Sequence, residues 1–178
     1  MGCKSKILIC AYPGDELRGA STIFGSVDKF VFHYYKSPEG HRTKPSGNSI
    51  VIIETDRAPA IPVWRCGVML QEVLESLINP EIDEIYVPSV FEPDPRRQEV
   101  ARVCHALWVK HNYELEYVDY SVEGVQPNSN RVKLSDTDKN NREVYLRKMY
   151  GKRVTTSFRP FEEFSRRKID VESDIFTA

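Results

Sequence analysis

Residues 6–17 read Lys-Ile-Leu-Ile-Cys-Ala-Tyr-Pro-Gly-Asp-Glu-Leu. The first part, 6–11, is a continuous apolar run behind a lysine, a pattern typical of a strand buried on both faces of a parallel sheet. A Pro-Gly turn then ends the strand. Asp15 and Glu16 follow it, where acidic side chains favour the start of a helix that we predict to run to about Gly25. The stretch therefore predicts a strand–turn–helix unit, the building block of an α/β domain.

Strands and helices alternate along the rest of the chain. We predict further strands at 29–35, 49–54, 84–88 and 115–120, an edge strand at 131–134, and helices at 68–78, 96–111 and 136–150. Such alternation predicts a three-layer α/β/α domain with a mostly parallel, Rossmann-like sheet. The segments 36–48 and 57–62 are expected to be irregular. We predict a single domain over residues 1–178, with 170–178 as a loose tail.

The composition narrows the class of protein. Hydrophobic residues make up 40% of the chain and charged residues 29%, which is typical of a soluble globular domain. No apolar run approaches the roughly 20 residues of a membrane helix. The N-terminus has no signal-peptide pattern, so we expect a cytoplasmic protein without a membrane partner. The four cysteines of the chain form no C-x-x-C pair, which argues against a zinc knuckle and favours reduced thiols.

The basic residues are concentrated near the C-terminus. Residues 131–168 contain twelve Lys and Arg against five Asp and Glu, although the whole chain has a formal net charge of −1. The asymmetry indicates an anionic partner, either a nucleic acid or a phosphorylated small molecule, or else a solvated helix face. A nucleic-acid function has this charge as its sole support.

Two loops with unusual chemistry follow the carboxyl ends of predicted strands. They are residues 12–16 and residues 88–97. Because ligands of open α/β sheets bind outside the carboxyl ends of the strands, we expect the two loops to lie at one functional edge. The sequence has no G-x-G-x-x-G or Walker pattern and no legible Ser-His-Asp or Cys-His arrangement.

These loops resemble, in order, the motifs of the LmbE-like, or PIG-L, N-deacetylases. Residues 11–16 are similar to the family's A-H-P-D-D-E signature, and 83–88 resemble its D-x-V-x-x-P strand. Residues 94–100 fall where the family has H-P-D-H-R-A-V. A late K…L…Y helix is echoed at 139–150, followed by the tail 161–164. The resemblance implies the fold of the family and its zinc-dependent N-deacetylation of a sugar.

The zinc motifs themselves are degraded. In the family, zinc is held by the first-motif His, the second Asp of that motif and the last His of the second motif. These positions are Tyr12, Asp15 and Arg97 here, and the general base of the family is replaced by Gly14. Arginine is a permanent cation and cannot ligate a metal, and glycine cannot abstract a proton. We therefore expect no cofactor. Arg97 is expected to form an ion pair with Asp15 in the space of the metal.

The remaining positions follow the same comparison. Glu16 matches the Glu of the first motif, Asp94 replaces the first His of the second motif, and Arg96 replaces its middle Asp. An alternative register places Glu92 and Pro95 at the two histidines. The first register is preferred because it aligns Val100 with the valine of the family motif. If zinc is bound after all, its replacement ligands are Asp94, Glu92 or His41.

The roles expected at this edge are as follows. If catalysis remains, the carboxylates of Asp15 and Asp94 perform it. The residues expected to bind ligand are Tyr12, Gly14, Glu16, Arg96 and Arg97. For Asp15 and Asp94 the structural alternative is a helix cap, and for the arginines it is surface charge.

Three functions stay open at this point. The first is an enzyme with a rebuilt, metal-free site for a sugar or sugar-nucleotide ligand, a hydrolase if it follows the family. The second is a non-catalytic binding protein, or pseudoenzyme, and the third is a nucleic-acid-associated protein. The segment 49–67 is shorter than in the family, and an edge exposed by that shortening would make a homodimer possible.

Overall fold

The computed structural model describes residues 5–32, 50–52, 63–77, 82–111, 115–150 and 159–167. The strands are β1 (Ser5–Cys10), β2 (Lys29–Phe32), β3 (Ile50–Ile52), β4 (Ile82–Pro88), β5 (Glu116–Tyr120), β6 (Asn130–Lys133) and β7 (Phe161–Arg166). The helices are α1 (Asp15–Gly19), α2 (Val63–Leu77), α3 (Pro95–Lys110) and α4 (Asp136–Tyr150), and a 3-10 helix (Ser21–Ser26) follows α1.

The described strands form a seven-stranded sheet in the order β3-β2-β1-β4-β5-β7-β6. The first five strands of this order, which are β3, β2, β1, β4 and β5, are parallel to one another. Strand β7 is antiparallel to β5 on one side and to β6 on the other. The mostly parallel sheet predicted from the sequence is thus confirmed, and β6 lies at one edge of the described sheet, as expected.

Strand β1 lies in the middle of the sheet and is buried on both faces. Ile7 and Ile9 belong to the apolar cluster that includes residues of α2 and α3. Leu8 and Cys10 belong to the cluster on the other face, with the 3-10 helix and α4. Because side chains alternate between the faces of a strand, only a continuous apolar run satisfies both clusters. The three-layer α/β/α arrangement follows directly.

Some element boundaries differ from the prediction. The helix expected from Asp15 to Gly25 ends at Gly19, and a 3-10 helix continues after Ala20, whose φ of −145° is not helical. Helix α2 begins at Val63, earlier than its apolar periodicity indicated. Residues 33–35 of the predicted second strand, the segments 36–48 and 57–62, and the tail 170–178 lie outside the described residues.

Strand β7 is the main departure. Its first four residues were expected only as a tail, yet the strand is inserted between β5 and β6. Glu162 of this strand is 1% exposed and accepts hydrogen bonds from Ser21 N (2.7 Å), Thr22 Oγ1 (2.6 Å) and Arg142 Nη2 (2.8 Å). The buried carboxylate of Glu162 therefore connects β7 to α4 and to the 3-10 helix. At this position the strand is held by an ion pair and not by an apolar side chain, so its sequence lacks the alternating apolar pattern of a strand.

Among the residues that the structure describes, no helix has both the length and the apolar character needed to cross a bilayer.

Gly19 provides a test of the packing between α1 and β5. A Cβ atom there would lie 2.6 Å from Tyr120 Cδ2 and 2.9 Å from the carbonyl oxygen of Ser121, whereas a Cβ on Gly25 would meet nothing within 4 Å. We expect Gly19→Ala to lower the free energy of unfolding by about 1–3 kcal/mol. The matched Gly25→Ala should stay within about 0.5 kcal/mol. Urea unfolding followed by circular dichroism measures both, and equal midpoints would contradict the close packing.

Candidate functional site

The two loops that follow β1 and β4 meet at the carboxyl edge of the sheet. The hydroxyl of Tyr12 lies 3.2 Å and 3.3 Å from the two carboxylate oxygens of Asp94 and donates to that carboxylate. Arg97, at the start of α3, reaches back to Asp15 at the start of α1. The juxtaposition follows from the fold because β1 and β4 are neighbouring parallel strands.

The turn after β1 is held by its own backbone and carboxylates. Gly14 has a φ of 101°, in the left-handed region that favours glycine, and its N–H donates to Glu16 Oε2 at 2.8 Å. The N–H of Tyr12 donates to Asp15 Oδ2 at 3.2 Å. Gly14 and Glu16 therefore shape the turn: the glycine provides the backbone conformation, and the glutamate is buried beneath it.

Asp15 and Arg97 form a buried bidentate ion pair. Arg97 Nε donates to Asp15 Oδ2 at 3.1 Å, and Arg97 Nη2 donates to Asp15 Oδ1 at 2.8 Å. Asp15 is 1% exposed and Arg97 is 2% exposed. The planar guanidinium matches the geometry of a carboxylate, and this is the ion pair expected from the sequence. The Arg97 guanidinium also lies over the ring of Tyr12, 5.4 Å from its centroid.

Two further carboxylates surround the guanidinium. Arg97 Nη1 lies 3.4 Å from Glu123 Oε2 and 3.9 Å from Glu92 Oε2. Burial lowers the pKa of Arg97, but the negative charge and hydrogen bonds of Asp15, with the charges of Glu123 and Glu92, raise it above the ordinary value. The side chain is therefore a fixed cation at the centre of this edge.

Glu92 organises the loop that follows β5. Its fully buried carboxylate accepts hydrogen bonds from Val122 N (2.6 Å), Glu123 N (3.1 Å) and Ser121 Oγ (3.1 Å). Burial raises the pKa of Glu92, and the backbone N–H donors oppose that rise without cancelling it. The close approach is possible because residue 124 is glycine: a Cβ there would lie 2.6 Å from the carbonyl oxygen of Phe91.

The sequence did not lead us to predict that the loop 121–124 belongs to this edge. The position of this loop after the carboxyl end of β5 was the available signal, since that is where α/β sheets place functional loops. Its Glu123 contributes a carboxylate to the site and receives a 2.7 Å hydrogen bond from Arg18 Nη2 of α1.

Asp94 has a structural position as well as a place in the cluster. Its Oδ1 accepts the N–H groups of Arg96 (2.9 Å) and Arg97 (3.0 Å), so it caps the N-terminus of α3. The cap brings the Arg97 side chain to Asp15. Burial and the charge of Asp94 raise the pKa of Tyr12, which keeps the phenol protonated as a donor to Asp94. The side chain of Arg96 is exposed.

The arrangement does not fit a metal ion. Within the described ranges, no group of three or more His, Cys, Asp or Glu side chains is placed to hold one. Both oxygens of Asp15 are occupied by Arg97, and those of Glu92 by the 121–124 loop. A second cation beside the Arg97 guanidinium would face direct repulsion. His41, a possible replacement ligand, lies outside the described residues.

The ion pair makes a prediction about paired substitutions. Asp15→Ala or Arg97→Ala alone leaves one buried charge without its main partner, and we expect each to cost about 3–5 kcal/mol of unfolding free energy. The double variant Asp15→Ala/Arg97→Ala should cost clearly less than the sum of the two, because neither charge is then stranded. Denaturant unfolding of all four proteins measures the coupling, and strictly additive losses would show that the pair does not act as a unit.

The comparisons with known proteins support the fold and not a close relationship. No protein-family model matches the sequence, and no curated protein matches it significantly. Solved structures do match. The N,N'-diacetylchitobiose deacetylase of Pyrococcus horikoshii, complexed with its inhibitor MPG, has a TM-score of 0.54 and 12% identity. The match covers 97% of this chain and 89% of the deacetylase.

Two structures of a deacetylase from the teicoplanin biosynthetic pathway also match. The zinc-inhibited form of teicoplanin deacetylase Orf2 has a TM-score of 0.50 and 8% identity, over 82% of this chain and 83% of the Orf2 chain. A triple mutant has a TM-score of 0.51 and 7% identity, over 82% and 81%. The fold implied by the ordered motifs is thus confirmed by three-dimensional structure: the chain has the LmbE-like deacetylase fold.

Proposed function

We propose that this chain binds a sugar-type ligand at the carboxyl edge of its sheet, without zinc and without N-deacetylase activity. The observation that carries the proposal is the buried bidentate pair between Arg97 and Asp15. By the motif comparison, both residues stand at positions that hold zinc in the LmbE-like enzymes. A guanidinium and a metal ion cannot use the same carboxylate oxygens at once.

The exchange removes the chemistry of the family's reaction. Metal-assisted hydrolysis needs a Lewis acid that polarises the amide and lowers the pKa of bound water. A guanidinium can donate hydrogen bonds, but it has no open coordination position and cannot activate water in this way. Gly14 stands where the general base is found in the family and has no side chain to accept a proton. The two central parts of the deacetylation machinery are therefore replaced.

Binding remains compatible with the site. The protein from Pyrococcus horikoshii is named for a sugar, N,N'-diacetylchitobiose. In this chain the ring of Phe91 is 56% exposed beside the buried Glu92. The side chain of Glu123 is 41% exposed, and that of Asp94 is half-buried. An accessible aromatic ring suits a sugar because sugar rings pack on aromatic faces, and the carboxylates of this edge can accept hydrogen bonds from sugar hydroxyls.

The nucleic-acid alternative is less well supported. Many cations of the basic region lie within 4.0 Å of carboxylates of the same chain: Arg131 and Arg159 with Glu163, Arg142 with Glu162, Arg166 with Glu84, and Arg167 with Asp119. A carboxylate reduces the positive field of the arginine with which it is paired, so the paired arginine gains less from a phosphate. The cytoplasmic location and the homodimer stay predictions, and most of the segment 49–67 on which the dimer rested lies outside the described residues.

The zinc-free proposal predicts a negative assay. Protein purified, incubated with zinc and dialysed should contain far less than one zinc per chain, and it should release no acetate from N,N'-diacetylchitobiose. Elemental analysis and an acetate assay measure the two quantities. The deacetylase from Pyrococcus horikoshii, treated identically, is the positive control. Stoichiometric zinc together with acetate release would refute the proposal.

The ligand-binding part has its own test. Titration with N-acetylglucosamine, followed by NMR, should give saturable shifts for residues at the carboxyl edge. We expect Phe91→Ala to weaken binding about tenfold, since loss of a stacking face costs about 1–1.5 kcal/mol. Val144→Ala, at an equally exposed apolar residue on α4, is the matched control and should leave affinity unchanged. Shifts that spread evenly over the protein, or equal affinities for the two variants, would argue against a sugar site here.

A further inference from the structure

Glu123 stands between two arginines. Its Oε1 accepts a 2.7 Å hydrogen bond from Arg18 Nη2, and its Oε2 lies 3.4 Å from Arg97 Nη1. The three side chains differ in exposure: 41% for Glu123, 18% for Arg18 and 3% for Arg97. The carboxylate is thus the solvent-facing partner of two cations, one of them almost wholly buried.

The hydrogen-bonding capacity of Arg97 is incompletely used. Its Nε and Nη2 donate to Asp15 at 3.1 and 2.8 Å. Its Nη1 has longer contacts, 3.4 Å to Glu123 and 3.9 Å to Glu92, beyond the usual 2.7–3.2 Å of N–H···O bonds. The Nη1 group can therefore gain from an oxygen that approaches more closely than Glu123 does.

The Glu123 side chain can leave without disturbing the loop. Its backbone N–H is held by Glu92 Oε2 at 3.1 Å, and the neighbouring N–H of Val122 by Glu92 Oε1 at 2.6 Å. Those contacts do not involve the Glu123 carboxylate. Of the contacts that the described residues make, a rotation of the side chain into solvent would break those with the two arginines and would leave the backbone hydrogen bonds of the loop in place.

The charge balance permits an exchange of anions. Around Arg97 the carboxylates of Asp15, Glu92 and Glu123 face the guanidinium groups of Arg97 and Arg18. When Glu123 turns away, two carboxylates face two guanidiniums. An anionic group that enters restores the same local charge that Glu123 had provided, so the surroundings are already suited to one negative charge there.

We propose that Arg18 and Arg97 bind the carboxylate or phosphate of an anionic sugar, and that the Glu123 side chain occupies this site as an internal competitor when no ligand is bound. The inference rests on the proposed sugar-binding function and specifies the chemical class of its ligand. Arginine suits this role because its fork of donors matches carboxylate and phosphate oxygens. Arg18, the more exposed of the two, contacts the anion from the solvent side, and Arg97 binds it from the interior.

The test measures binding of inorganic phosphate, N-acetylglucosamine and N-acetylglucosamine 6-phosphate to the full chain by calorimetry. Glu123→Gln removes the competing charge with little change in shape, and we expect it to bind phosphate at least about tenfold more tightly than the wild type. Glu72→Gln removes an exposed carboxylate from α2 and is the matched control, with no expected effect. Adding Arg18→Gln to Glu123→Gln should abolish the gain, whereas adding Arg102→Gln, at an exposed arginine of α3, should not. Thermal unfolding verifies that each variant is folded.

The outcomes separate this inference from the function on which it rests. Unchanged phosphate affinity in Glu123→Gln overturns the anion site, and so does an absence of phosphate binding by that variant at about millimolar concentrations. If N-acetylglucosamine still binds in either case, the sugar-binding function stands alone. A tighter phosphate complex, with no binding of N-acetylglucosamine and no additional affinity for the sugar phosphate, establishes the anion site and refutes the sugar function. The full inference requires the sugar phosphate to bind Glu123→Gln more tightly than either component.

Discussion

Two oxygens of Asp15 meet two N–H groups of Arg97 in a part of the protein from which water is nearly excluded. Neither charge could stay buried there without the other, because the cost of removing an unpaired ion from water is several kcal/mol. The pair joins the first turn of α1 to the first turn of α3 and thereby sets the distance between the loops that follow β1 and β4. Both carboxylate oxygens of Asp15 are already used by this pair.

The rest of the edge is built around that cation with further buried charges. Asp94 caps α3 and so orients Arg97, while Glu92 supports the backbone of the 121–124 loop and brings Glu123 to the guanidinium. A similar construction holds β7, where Glu162 is buried against Arg142. In both places an arginine and a carboxylate are almost fully buried. Such clusters have low tolerance for single substitutions because each loss leaves a partner unsatisfied.

The parts of the structure with a local pattern could be predicted from the sequence. The apolar run of β1 requires burial on both faces, and the periodicity of α3 with Asp94 before it indicates a capped helix. The close packing of Gly19 against Tyr120 could not be predicted, since the two residues lie about 100 positions apart in the chain. Strand β7 was not predicted because two adjacent glutamates, Glu162 and Glu163, are not typical of a buried strand. Their carboxylates are paired with Arg142 and Arg131, which belong to other elements of the fold.

By itself the sequence determined the alternation of strands and helices, the ordered motifs that resemble the LmbE-like family, and the residue types at the positions that match the zinc ligands of that family. Those residue types already argued against metal binding, because the side-chain chemistry of arginine and glycine does not depend on their surroundings. Only the tertiary structure decided that Arg97 is bidentate to Asp15, that Glu123 joins it from the loop after β5, and that Arg18 lies on the other side of that carboxylate. The contacts of Arg97 with Asp15 and of Arg18 with Glu123 join residues 82 and 105 positions apart. No local sequence pattern records such contacts, since they arise where loops meet at the carboxyl ends of neighbouring strands.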